Sequence, residues 1–95
     1  MSFEEFIAAP AVPAAAGPAL AALWHDAHGD WARAHELSQE DEGSNGSWVH
    51  AYLHRKEGDA ANARYWYTRA GRTPPAKSVT LDAERAAIAT ELLKT

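Results

Sequence analysis

The dipeptide Gly-Asp stands at Gly29-Asp30 and again at Gly58-Asp59, and the residues around the two copies read alike when one is shifted by 29 positions. The shift lays Ala22 on Ala51, His25 on His54, Ala32 on Ala61 and Ala34 on Ala63. A period of this length marks stacked two-helix units, each too small to bury its own apolar face and each completed by its neighbour. An all-α fold is therefore expected, and no other feature narrows the choice as far.

Composition points the same way. Alanine is abundant and β-branched residues are few, and alanine loses no side-chain entropy in a helix. The 95 residues make one domain, 1–95, which can bury only about 60 to 70% of its unfolded surface, so the four tryptophans matter to the core. There is no cysteine, which excludes disulfides and thiolate chemistry and makes the reducing cytoplasm the default compartment. A formal charge of −4 argues against nucleic acid and anionic membranes as partners, since both are bound by neutralising phosphates with Lys and Arg. The longest apolar stretch, Ala8 to Leu23, is broken by Pro10, Pro13 and Pro18 and has no basic flank; it fits neither a signal peptide nor a membrane span.

Ser2 is placed to cap a short first helix, with Glu4 and Glu5 at its positive end. Pro18 suits the first position of the next helix, in which Leu20, Leu23, Trp24 and Ala27 form a buried stripe. Gly29 ends that helix and Asp30 caps its partner, giving a first unit over 18–41. Asn45-Gly46 reads as a turn, and Ser47 is taken as the cap of a second unit over 47–71. Its Val49, Tyr52 and Leu53 repeat the register of Leu20, Leu23 and Trp24. Pro74-Pro75 ends this unit, and a capping helix over 80–94 carries Leu81, Ile88 and Leu92 on one face, with Glu84, Arg85 and Glu91 expected outside.

The segments Ala22 to Ser38 and Ala51 to Ala70 resemble the tetratricopeptide repeat and its Sel-like variant. The likeness rests on the small residues Ala22, Ala51, Ala34 and Ala63, the two Gly-Asp turns, and Tyr67 with Ala70. The run Asn62 to Gly71 looks most like the second helix of a Sel-like unit, although 29 residues is shorter than the family repeat. Trp48 to Gly71 also resembles a group of small bacterial proteins, a likeness that implies no activity. Membership of the repeat family implies a protein-interaction module that binds a protein or peptide segment, or pairs with itself as a homo-oligomer. In such stacks the first helix of each unit lines the concave face, which here would present Trp48, Tyr52, Arg55, Lys56 and Asp26. Aromatics mixed with fixed charges are what interface hot spots enrich.

Five histidines set an alternative beside this reading: metal binding or small-molecule catalysis at His25, His50 and His54. The spacing of His50 and His54 lets two imidazoles chelate one ion from a helix face, and the repeat puts His25 and His54 at equivalent positions. Against it, a zinc site needs three convergent ligands, and there is neither cysteine nor a His-Glu-x-x-His pattern. His25 and His54 are read first as packing rings, each satisfied by a neighbour, and His28, His35 and His50 as surface or interface residues. No cofactor and no catalytic residue are assigned. Tyr65, Trp66 and Tyr67 span about 200° of a helix, so that helix is expected to pack between the third helix and the C-terminal one.

Overall fold

The computed structural model describes residues 1–94 and is all-α among them. The elements are α1 (Phe3–Ala8), α2 (Pro18–Ala27), α3 (Trp31–Glu40), α4 (Ser44–Glu57), α5 (Ala60–Ala70) and α6 (Leu81–Leu93). Ser2 closes a capping box with Glu5 at the head of α1, and Pro18 opens α2. The strongest packing is within the pairs α2·α3 and α4·α5, and α3 against α4 joins one pair to the other.

The repeat seen in the letters recurs in the backbone. Gly29 and Gly58 adopt φ of 87° and 90°, a region closed to most side chains. Just after each, the Asp30 and Asp59 amides bond back to the His25 and His54 carbonyls at 2.9 and 3.0 Å. Each aspartate side chain then accepts the third amide of the following helix, from Arg33 at 3.0 Å and Asn62 at 3.1 Å. The glycine reverses the chain and the aspartate satisfies a free amide of the new helix.

The core gathers Phe6, Ala22, Leu23, Ala34, Val49, Tyr52, Leu53, Ile88 and Ala89, all with no exposed surface. A smaller cluster of Ala51, Ala63 and Tyr67 holds α4 against α5. Trp31 adds a bond between the two pairs, its Nε1–H donating to the Leu53 carbonyl at 3.0 Å.

One boundary and one packing arrangement differ from the sequence expectation. The second unit begins at Ser44 with Gly43 as its cap, not at Ser47, and Asn45-Gly46 lies inside α4. The glycine serves closeness rather than a turn: a Cβ on Gly46 would stand 1.9 Å from the Asp41 carbonyl oxygen, so only glycine lets α4 start that near the end of α3.

The second difference concerns α6, which packs on α2, α4 and α1 and meets α5 through the Tyr67 hydroxyl on Glu84 rather than by close backbone packing. It crosses the face of the two first helices instead of covering the end of the stack. The reason sits on its apolar stripe: Glu84, midway between Leu81 and Ile88, is buried and not outside, because buried partners await it on α4 and α5. With α6 elsewhere, α5 is left with an open side, where Tyr65 is 53% exposed.

Candidate functional site

Four of the five residues assigned to the concave face, Asp26, Tyr52, Arg55 and Lys56, lie near one another, but under α6 rather than in an open groove. Asp26 is 2% exposed and Tyr52 is fully buried. The Tyr52 hydroxyl donates to Asp26 Oδ2 at 2.5 Å, Lys56 Nζ reaches Oδ1 at 2.8 Å, and Arg85 of α6 reaches Oδ2 at 3.2 Å. One carboxylate thus ties α2, α4 and α6. Burial, together with the hydrogen bond and negative charge of Asp26, pushes the Tyr52 hydroxyl well above the usual range for a phenol, so it acts as a fixed donor.

The second tie is built on Glu84. Arg55 donates to its Oε1 at 2.8 Å and to the Val79 carbonyl, while the Tyr67 hydroxyl donates to its Oε2 at 2.5 Å. Burial and Glu84 raise the Tyr67 hydroxyl in the same way. Trp48 lies apart from both ties, half-buried, with the Arg72 guanidinium 3.8 Å above its ring. Of the five assigned residues, Asp26 and Arg55 therefore grip a helix of their own chain through its adjacent acid and base, Arg85 and Glu84, while Tyr52 and Lys56 hold Asp26 in place.

On the other side of α4 the histidines converge, and not as the alternative had them. His35, read as a surface or interface residue, joins His50 and His54, with one ligand nitrogen from each lying within 4.8 Å of the others. His25 stays outside the group, edge-on to Trp24. His50, also assigned to the surface or an interface, is 5% exposed. His35 and His50 face each other through their Nε2 atoms at 3.0 Å, and the His50 and His54 rings stack at 4.7 Å. Trp31 stacks on His35 at 4.8 Å and Trp66 on His50 at 4.0 Å. Burial and then the neighbouring His54 hold His50 down at about 4, and the same two causes lower His35. His50 therefore stays neutral at neutral pH.

A cleft of about 340 Å³ opens beside His50, with Ser38, Ser47, Trp66 and Arg69 among its walls. Glu57 stands at the far edge, its Oε1 2.5 Å from His54 Nδ1. The members that sequence reasoning missed were visible as intrusions into apolar registers. Glu84 falls three residues after Leu81 and four before Ile88, and His35 falls four after Trp31 and three before Ser38.

Comparison with protein-family models, with curated proteins and with solved structures finds no match. Among the described residues no helix is long and apolar enough to cross a membrane.

Proposed function

We propose that the protein is a helical-repeat interaction module of tetratricopeptide type, whose concave face takes a helical segment carrying an acid–base pair. The observation behind this reading is the seat of α6 across α2 and α4, gripped through Glu84 and Arg85. A face that holds one amphipathic helix by two buried charge clusters has the chemistry to hold another of the same pattern. The partner is a protein segment, and α6 of a second copy is the simplest example. Cysteine-free, the chain suits the cytoplasm.

The test uses the full chain with Glu84→Ala and Arg85→Ala, which loosens the resident helix, and a labelled synthetic peptide of residues 79–94. Anisotropy should show saturable binding to this variant and much weaker binding to the wild-type chain, whose face is occupied. A peptide with Glu84 and Arg85 exchanged should not bind. If the variant stays helical and takes neither peptide, α6 is a permanent core element and the module reading fails.

A further inference from the structure

We propose that His35, His50 and His54 form a binding site for one borderline divalent metal ion of the zinc class, bridging α3 and α4. The inference stands on the histidine side of α4 alone and is independent of the concave face.

The backbone supplies the arrangement. His50 and His54 are one turn apart on α4, so their rings leave the helix on one side. The close start of α4 at Gly46 brings α3 alongside, and His35 closes the triangle. A tetrahedral ion with metal–nitrogen bonds of about 2.0 to 2.1 Å sets its ligand nitrogens about 3.3 Å apart. Here one pair stands at 3.0 Å and all three nitrogens lie within 4.8 Å, so small ring rotations complete the geometry.

Lone-pair direction agrees with this. The carboxylate Glu57 can only accept, so His54 Nδ1 carries the proton and Nε2 keeps its lone pair, met only by the Asn62 amide at 3.4 Å. A carboxylate on the far nitrogen of an imidazole is the support that metal-binding histidines use. The Gln39 amide nitrogen lies 3.2 Å from both Nδ1 and Nε2 of His35; with an ion on Nε2, that amide would turn its oxygen to accept from Nδ1. Without an ion, the 3.0 Å contact requires one of His35 and His50 to donate from Nε2 to the other; binding an ion through both Nε2 atoms moves that ring's proton to its own Nδ1, so each ring stays a neutral ligand.

The surroundings fit a three-imidazole set. Trp31 and Trp66 wall two of the rings, and imidazole favours Zn²⁺, Co²⁺, Ni²⁺ or Cu²⁺ over Mg²⁺ and Ca²⁺. The cleft beside His50 supplies the entry path and room for water as a fourth ligand. The ion would join the first helix pair to the second, adding a crosslink where the apo chain has an imidazole–imidazole hydrogen bond.

The test titrates untagged, chelator-stripped protein with Zn²⁺ by calorimetry and with Co²⁺ by visible absorption. One ion per chain, a raised Tm and the intense d–d bands of four-coordinate cobalt are expected. His50→Ala should lower affinity by more than the about 10- to 100-fold expected for Glu57→Gln as an outer partner, and His25→Ala should leave it unchanged. The cobalt spectrum of the wild-type chain reads coordination directly, so it decides the matter even where a histidine variant does not fold. No saturable binding of either ion, or binding that survives both His35→Ala and His54→Ala, overturns the proposal.

Discussion

Helix α4 carries a buried polar cluster on each side, and the two are built on opposite rules. Toward α6, Asp26 and Glu84 meet Lys56, Arg85 and Arg55, so each carboxylate is matched by guanidinium or ammonium and by a phenol. Toward α3, three imidazoles meet one another, with Glu57 the carboxylate hydrogen-bonded to the group. The first cluster is closed, because opposite charges taken from water are compensated only when paired. The second consists of imidazoles held by ring stacking and by a ring-to-ring hydrogen bond, with no lysine or arginine bonded among them. A matched cluster fixes a structure, whereas a cluster of imidazoles can turn its ring nitrogens to a cation.

The largest effect should follow from unbalancing the charged side. Asp26→Ala leaves Arg85, Lys56 and the Tyr52 hydroxyl facing an apolar gap, and removing one partner of a buried set costs about 3 to 5 kcal/mol. The lower end is expected, since Lys56 and Arg85 keep some access to water. On the histidine side His50→Leu should cost less than about 1 kcal/mol in metal-free protein, because half-buried His35 can turn to solvent. Urea unfolding of the two variants checks the contrast, and equal losses would break it.

Gly46→Ala should separate the sides more finely. Alanine gains up to about 1 kcal/mol in helix propensity, but its methyl meets backbone, the Asp41 carbonyl, and such overpacking costs about 1 to 3 kcal/mol. A net loss of about 1 kcal/mol is expected by thermal unfolding. The start of α4 must shift from α3, so metal affinity should fall while the Asp26 cluster, a turn or more further along, is undisturbed.

The histidine side also sets a pH dependence. His50 titrates at about 4 in the folded chain against an ordinary 6.5, and His35 is lowered as well. Between those values the unfolded chain binds protons that the folded chain refuses, so stability falls as pH drops from about 6.5 toward 4 and is level above 6.5 as far as these groups go. The groups facing them are His54, Glu57 and Glu36. The difference in urea midpoint between wild type and the His35→Gln, His50→Gln double variant, measured at both ends of this window, isolates the contribution. A pH-independent difference would contradict it.

The two sides were not equally legible. The helices and both Gly-Asp turns follow from local rules, in which a glycine frees the backbone and an aspartate caps, and the structure keeps them. Where α6 would lie was not local. A stripe of Leu81, Ile88 and Leu92 says that one face is buried but not against what, and Glu84 on that stripe was placed outside because a buried glutamate makes sense only once Arg55 and Tyr67 are known to face it. His35 was missed for a similar reason. The repeat drew attention to His25 and His54, which occupy equivalent positions, whereas convergence is made by the packing of α3 on α4, which the repeat does not encode.

The smallest expected effect concerns the residue between the sides. Trp48 packs partly against the main core and partly against the Ala51, Ala63 and Tyr67 cluster, and Arg72 covers its ring at 3.8 Å. Arg72 follows the left-handed Gly71, and its amide bonds the Tyr67 carbonyl at 3.0 Å, so Arg72→Ala keeps the backbone turn and removes only the side chain. An exposed guanidinium over an indole contributes about 0.5 to 1 kcal/mol, and Arg72→Lys should keep part of it. Because Trp48 touches both clusters, its loosening should lower the urea midpoint slightly without changing zinc affinity or the wild-type pH profile. A variant that altered either one would mean that the two sides of α4 are coupled through Trp48, and that they do not behave as independent clusters on one helix.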